Sequence, residues 1–288
     1  MTLGQALQWA INALKSHDID DSQLEARVLL GYILKLSHAE LLTENNQILS
    51  QSQFDSFQKL VNRRLRREPT AYIINNKEFY GFDFYVDRRV LIPRPETELL
   101  VDEAIDFVNE RVSNPAYSGE KILIADVGTG CGAIAITLAL TLSNISIIAT
   151  DISNAALEVA LRNSSKHKVN KHVTFLQGNL LEPIIEPVDL IVANLPYIRT
   201  SELADLPAEI TDFEPSVATD GGNTGLEYIC QLVVEAQEKI RQQGRLLLEI
   251  GNRQERQLFC IIQKHIISKA IQLLPDMNGI NRVVKIDF

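Results

Sequence analysis

The chain is poor in cysteine: Cys131, Cys230 and Cys260 are the only three in 288 residues. They are odd in number, widely spaced and in no paired metal-ligand pattern, which excludes a disulfide scaffold and a cysteine-based metal site. They read as reduced core or loop residues, as expected of a cytoplasmic protein. No apolar run reaches the roughly 18 uncharged residues of a membrane span, so no membrane association is expected. No cation precedes Lys15 and no arginine precedes Arg27, so neither a signal peptide nor a transit peptide is expected. An excess of positive charge is also missing: Lys and Arg number 28 against 37 Asp and Glu, a net charge of −9. A surface that coats nucleic acid needs many phosphate-contacting cations. No stable nucleic-acid partner is expected.

What is present is an ordinary globular composition, 45% hydrophobic and 23% charged, in a chain long enough to bury a real core without staples. Charge is uneven along it. Residues 1–75 hold 8 cations and 8 anions, so the 20 cations and 29 anions of residues 76–288 account for the whole net charge. The neutral part still concentrates Arg63, Arg64, Arg66 and Arg67. These read first as a solvated helix end whose cations suit the C-terminal dipole, and second as a local contact for RNA.

The first 70 residues read as helices. Leu3, Leu7, Ile11 and Leu14 recur at helical spacing, and Ser22 with Glu25 makes a capping-box pattern before Val28, Leu29 and Tyr32. A further helix carries Phe54, Phe57, Val61 and Leu65, with Pro69 as a stop. Four or five helices are expected over residues 1–75. Residues 78–92, EFYGFDFYVDRRVLI, switch to aromatic and β-branched residues around Gly81, which suits a hairpin. From about residue 121, short apolar runs at 122–127, 145–150, 173–177, 189–194 and 245–250 alternate with helical stretches at 133–140, 155–163 and 227–240. That alternation predicts a parallel, doubly wound sheet. The tail AIQLLPDMNGINRVVKIDF predicts two strands joined by a loop too short for a crossover helix, hence an antiparallel pair.

ADVGTGCGAIAI follows the first strand of this sheet and opens a helix. Gly128, Gly130 and Gly132 let the backbone turn sharply and approach a ligand. The spacing is not that of most dinucleotide folds, and no lysine makes a phosphate loop; a plain strand-to-helix turn is the bland reading. Context favours a ligand. Asp126 lies inside the strand end just before the loop, where an acid can accept from an ammonium or amide. Asp151 closes the second strand, where a carboxylate can hold a ribose diol, unless it merely caps the next helix, a role open to Ser153 or Asn154. Asn179 ends the third strand, near where an adenine edge would fall. Acidic groups without a phosphate-binding cation favour an adenosine ligand lacking phosphates, and S-adenosyl-L-methionine fits.

The fourth strand ends in Asn194-Leu195-Pro196-Tyr197, at the carboxyl edge where open sheets bind ligands. Here the chain resembles the class I methyltransferases that methylate planar NH₂ groups. An amide nitrogen is a poor nucleophile because its lone pair is delocalised. The Asn194 side-chain oxygen and the Leu195 carbonyl can each accept one N–H and fix that nitrogen. Tyr197 can pack on the planar group and exclude water. No metal is required.

The resemblance sharpens in REPTAYIINNKEFYGFDFYVDRRVLIPRPETELLV (67–101), which is similar to the domain junction of release factor glutamine methyltransferases, the HemK/PrmC family. IPRPETE (92–98), DVGTGCGAIAI, EPSVATDGGNTGLEYI (214–229), LLEIGNRQ (247–254) and NRVV (281–284) match in order. The resemblance implies a class I methyltransferase-like, mostly parallel α/β sheet with an antiparallel C-terminal strand, behind a helical N-terminal domain and a β-hairpin junction. The implied domains are residues 1–75 for substrate recognition, 76–93 for the junction and 94–288 for methyl transfer. The implied substrate is the glutamine of the Gly-Gly-Gln loop in peptide-chain release factors, with the enzyme acting as a cytoplasmic monomer. Implied catalytic residues are Asn194, Leu195, Pro196 and Tyr197. Implied cofactor contacts are Asp126, Gly128, Thr129, Gly130, Cys131, Gly132, Asp151, Asn179, Leu180 and Asn194, with Arg94, Glu96 and Thr97 contacting substrate or cofactor. The family usually has proline where Leu195 stands; Pro196 still biases residue 195 toward extended backbone, so its carbonyl keeps its aim. Many methyltransferases place Asp where Asn179 stands, and an amide oxygen can still accept from adenine. Two rivals remain: methylation of the exocyclic amine of adenine in RNA, whose enzymes commonly carry Asn-Leu-Pro-Tyr, and a non-catalytic cofactor-binding scaffold.

Overall fold

The computed structural model describes residues 1–43, 46–114, 119–266 and 270–288, which fall into two compact units. The first comprises Met1–Asn76 together with Pro207–Phe213, and the second Lys77–Leu206 with Glu214–Phe288.

The first unit packs α1 (Leu3–Lys15), α2 (Ser22–Leu34), α3 (His38–Thr43), α4 (Gln51–Leu65) and α5 (Thr70–Ile74) around one core. Leu3, Leu7 and Leu14 of α1 are buried against Leu29 and Leu30 of α2 and Phe57 and Val61 of α4. The Trp9 ring meets Phe54 and Phe57 edge-on, at centroid separations of 5.4 and 6.1 Å. Capping boxes form at Thr2 with Gln5 and at Ser50 with Gln53. The expected box at Ser22 and Glu25 does not. Asp21, in the left-handed region at φ 50°, is the N-cap and makes no side-chain cap bond. The Glu25 carboxylate is drawn off to the Thr70 hydroxyl and to the Arg64 guanidinium, 3.4 Å away.

Arg64 overturns the reading of the arginine cluster as a solvated helix end. It is buried, and its Nη1 lies 3.0 Å from Glu209 Oε1, on the one-turn helix Ala208–Thr211. Arg67 reaches the same carboxylate at 3.3 Å and donates to the carbonyls of His17 and Asp18. Arg63 grips Glu68 with two bonds of 2.7 Å. Of the four, Arg66 alone is exposed. Arg63, Arg64 and Arg67 are spent on internal carboxylates and carbonyls, and the last two bind segment 207–213 into the helical unit.

In the second unit β1 (Lys77–Phe79) and β2 (Phe82–Phe84) form an antiparallel hairpin, with both turn residues, Tyr80 and Gly81, at positive φ. After α6 (Glu98–Ser113) comes a seven-stranded sheet. Its strands are β3 (Ile122–Val127), β4 (Ile145–Asp151), β5 (Val173–Gln177), β6 (Val188–Ala193), β7 (Ile240–Glu249), β8 (Ala270–Pro275) and β9 (Asn281–Asp287), in the order β5-β4-β3-β6-β7-β9-β8. β3 to β7 are parallel; β9 is antiparallel to both β7 and β8. Helices α7 (Ala133–Thr141), α8 (Asn154–His167), α9 (Glu227–Lys239) and α10 (Glu255–His265) connect the parallel strands or follow them. Every residue of β6 is buried, as befits a central parallel strand.

Several strand boundaries differ from expectation; β6 begins one residue early, at Val188, and Asn179 lies two residues beyond the end of β5. Asn194 is the residue after β6 rather than its last. β7 starts at Ile240, five residues before the expected start, because the register against β6 shifts between Val188 and Leu190. The exposed Gln242 and Gln243, the latter at φ 64°, sit in that irregularity and read locally as a turn.

Arg64→Ala would leave Glu25 and Glu209 without their shared buried cation. Chemical denaturation should show a loss of about 2–4 kcal/mol, against less than about 0.5 kcal/mol for Arg66→Ala; equal small effects would return the cluster to the solvent.

Candidate active site

The strand order reverses between β3 and β6, and a cleft of about 800 Å³ opens where the carboxyl ends of β3, β4, β5 and β6 converge. Its floor is the glycine turn. The N–H groups of Gly128 and Thr129 both donate to the Thr150 carbonyl at 2.9 Å, which ties the turn to β4. Gly128 lies at φ 76°, and a Cβ there would stand 3.0 Å from Leu195 Cδ2, so only glycine lets this turn lie against the Asn194–Leu195 turn. Gly130 donates its N–H to Asp151 Oδ2 at 2.9 Å, while Ser153 N–H fills Oδ1 at 2.8 Å. The cap of α8 is the Ser153 hydroxyl, so Asp151 is not spent as a cap. Its carboxylate lines the cleft. Burial raises its pKa against the pull of the two backbone N–H groups.

The expected cofactor residues divide into two sets. Gly128, Gly130, Asp151, Asn179, Leu180 and Asn194 line the cleft. Asp126, Thr129, Cys131 and Gly132 stand behind it. Asp126 is fully buried; its Oδ2 accepts from the Thr129 hydroxyl at 2.7 Å and Ala135 N–H at 3.1 Å, and its Oδ1 has no partner among the described residues. Burial pushes its pKa up to about 6. The Cys131 thiol, equally buried, is pushed up to about 12, which makes it inert. Gly132, at φ 83°, precedes α7.

Leu195 and Pro196 also face the cleft. Tyr197 stands behind them, its hydroxyl 3.5 Å from Glu249 Oε1. The junction segment enters the cleft through Arg89, Val90 and Leu91 rather than through Arg94, Glu96 and Thr97. Arg94 pairs with Glu214, whose buried carboxyl is pushed above the usual range by desolvation despite that cation. Thr97 turns inward: its hydroxyl donates to Glu249 Oε2 at 2.7 Å and accepts from Asn194 Nδ2 at 2.9 Å.

Sequence reasoning missed Glu249 and Gln254, at the end of β7 and just beyond it. Gln254 Nε2 donates to the carbonyls of Tyr197 and Gly225, at 2.8 and 3.2 Å, while its oxygen accepts from Gly251 N–H at 2.8 Å. A Cβ on Gly221 would lie 2.6 Å from the Pro196 carbonyl oxygen, and one on Gly225 2.4 Å from that of Tyr197. The strings LLEIGNRQ and EPSVATDGGNTG are therefore the packing that holds the Asn194–Tyr197 turn. The segment also lends Pro215, Val217 and Ala218 to the cleft wall. Among the described residues, no group of three or more His, Cys, Asp or Glu is placed to hold a metal, and no helix is long and apolar enough to cross a membrane.

Two family models match in order: the PrmC N-terminal domain over residues 5–74 and the methyltransferase small domain over residues 100–211. The release factor glutamine methyltransferase of Moorella thermoacetica is 38% identical over 98% of this chain and 97% of its own length. The chain belongs to the release factor glutamine methyltransferase family. A second member, from Nitratidesulfovibrio vulgaris, is 33% identical over 98% of this chain and 94% of its own. The bifunctional methyltransferase of Rickettsia typhi is 36% identical over 99% of this chain, which spans only 57% of that longer relative. Among solved structures, the hMettl16 catalytic domain in complex with MAT2A 3′UTR hairpin 6 superposes with a TM-score of 0.58 at 13% identity, over 80% of this chain and 82% of its own. A methyltransferase from Pyrococcus furiosus gives 0.51 at 17% identity, over 73% and 91%. Both share the fold.

Glu249 is buried, and desolvation raises its pKa from the usual 4.5 to about 7, against the pull of Thr97 and Arg282. A carboxyl raised in the folded state contributes stability that is full below pH 4.5 and lost as pH rises through 7. Wild type should therefore lose about 3 kcal/mol relative to Glu249→Gln across that window, read by denaturation at each pH. A flat difference would contradict the burial account.

Proposed function

We propose that this chain transfers a methyl group from S-adenosyl-L-methionine to the side-chain amide nitrogen of the glutamine in the Gly-Gly-Gln loop of peptide-chain release factors, as a cytoplasmic monomer. The observation that carries the reading is the contact between the Gly128 turn and the Asn194–Leu195 turn on one cleft wall, in a chain of this family. It puts a small-molecule cradle beside two acceptors suited to a planar NH₂ group.

The residues present fit the cofactor. The turn beneath the cleft has no side chain at Gly128 or Gly130, so backbone can approach a ligand there. Asp151 would hold the ribose diol, Asn179 the adenine edge, and Ile152, Leu180 and Val217 an apolar ring. Asp126 and Thr129 would act from behind, keeping the turn in shape. When bound, S-adenosyl-L-methionine supplies a methyl group on a positively charged sulfonium leaving group, so the protein needs no acid or base of special pKa.

The chain's task is then positional. Asn194 Oδ1 and the Leu195 carbonyl would each accept one N–H of the glutamine amide, orienting its nitrogen and favouring positive charge on it. Tyr197, behind the cleft wall rather than on it, would support the turn that carries both acceptors, held there by Gln254 and Glu249. A lone glutamine side chain offers few contacts, so choosing one within a folded protein requires remote binding surface. The helical unit is assigned that task. Adenine methylation in RNA is the weaker reading. The acidic charge opposes it, and three of the four arginines that could have met RNA are paired internally.

Asn194→Ala should lower turnover on a release factor by about 10²–10³, while cofactor affinity by calorimetry changes far less; full turnover would remove Asn194 from the reaction. Asp151→Ala should weaken cofactor binding by about 1.5–3 kcal/mol, and an unchanged affinity in a folded variant would end the ribose assignment.

A further inference from the structure

Thr97 sits between two partners that constrain it completely. A hydroxyl has one hydrogen and two acceptor lone pairs. Glu249 Oε2, 2.7 Å away in the buried interior, only accepts when ionised, so it takes the Thr97 hydrogen. The Thr97 oxygen is left to accept from its other neighbour, and Asn194 Nδ2 donates to it at 2.9 Å. A side-chain amide has a donor end and an acceptor end of nearly equal shape, and its neighbours decide which points where. With the NH₂ end bound to Thr97, the oxygen is the end available to a substrate N–H.

Resting on the proposed amide-methylating reaction, we infer that Glu249, acting through the Thr97 hydroxyl, sets the orientation of the Asn194 amide and so makes Asn194 an acceptor rather than a donor at the site. Glu249 and Thr97 are positioning residues: neither lines the cleft, and both work through Asn194. With Glu249 protonated or absent, the Thr97 hydrogen is free to turn to Asn194. The amide then gains as much by presenting Oδ1 to Thr97 and its NH₂ end to the site. Two NH₂ groups would then face each other, and the glutamine nitrogen would lose its acceptor.

The device is sensitive to pH. The groups facing the Glu249 carboxyl are Thr97 and Glu96 from the junction segment, Tyr197 from the turn after β6 and Arg282 from β9. Burial and Glu96 raise its pKa while Thr97, Arg282 and Tyr197 lower it, and the balance stands at about 7. The acceptor orientation is enforced above that pH and released below it, so turnover should fall on the acid side with a midpoint near 7.

The test compares full-length wild type, Thr97→Val, Thr97→Ser, Glu249→Gln and Asn194→Ala. Each is assayed for methyl transfer to an intact release factor at saturating S-adenosyl-L-methionine, from pH 5.5 to 9. Cofactor affinity and melting temperature are measured in parallel. Thr97→Val, which keeps the shape without the hydroxyl, should lower kcat about 10–100-fold with cofactor affinity nearly unchanged. Thr97→Ser should restore most of that loss. Glu249→Gln should lose the acid limb of the kcat profile, a change that a merely structural role would not produce and that remains readable if Thr97→Val fails to fold. Wild-type kcat in Thr97→Val, or an acid limb that persists in Glu249→Gln, overturns the inference. The Asn194→Ala control separates the two levels: if it stays active the proposed amide clamp itself fails, whereas if it is inactive while Thr97→Val is normal, only the orienting role of Glu249 fails.

Discussion

The site depends on two turns being allowed to touch. β3 and β6 are direct neighbours, with Val127 opposite Ala193, so the chain leaves both strands at the same height on the same edge. Whatever follows must then share the space above them. Gly128 makes that possible, since any side chain there would press on Leu195. The Thr150 carbonyl pins one turn from beneath, while Gly221, Gly225 and Gln254 crowd the other from behind. Close packing fixes the position of Asn194 and the Leu195 carbonyl, which the proposed reaction would use as preorganised acceptors for a weakly nucleophilic amide nitrogen.

This arrangement carries a cost in buried charge. Asp126, Glu214 and Glu249 all have carboxyls whose pKa burial raises. Asp126 Oδ1 and Glu214 Oε2 lack partners among the described residues. Apolar residues of similar size would often be more stable in such places. Each carboxyl instead holds a feature of the site: Asp126 the glycine turn, Glu214 the Arg94 side chain of the junction, and Glu249 the Thr97 hydroxyl beside Asn194. Stability is given up at the positions that define the geometry of the cleft.

Much of this was legible from the residues alone. The runs at 122–127 and 173–177 coincide with β3 and β5 residue for residue. The first is a short, apolar, buried central strand. The second, at the sheet edge with only Val173 buried, shows as β-branched and aromatic residues stopped by Gly178 and Asn179. That the glycine turn, Asp151 and Asn194 would meet at one cleft was legible because it depends on their place along the strands. What was hidden depends on partners distant in sequence. Ser22 with Glu25 satisfies the same local pattern as Thr2 with Gln5, yet only the latter forms a box, because Arg64 and Thr70 compete for Glu25. The arginine cluster looked solvated because Glu209 lies about 145 residues away along the chain. Glu249 lay inside a matching string, but nothing local says that its carboxyl faces Thr97 rather than water.

The central claim is the identity of the methyl acceptor, and product analysis tests it most directly. The full-length chain would be incubated with isotopically labelled S-adenosyl-L-methionine and, in the same vessel, an unmodified release factor and ribosomal RNA. Peptide and nucleoside mass spectrometry would then locate the label. The account predicts a single methyl group on the side-chain amide of the Gly-Gly-Gln glutamine and none on RNA. Label on the exocyclic amine of adenine, with the release factor unmodified, would contradict it.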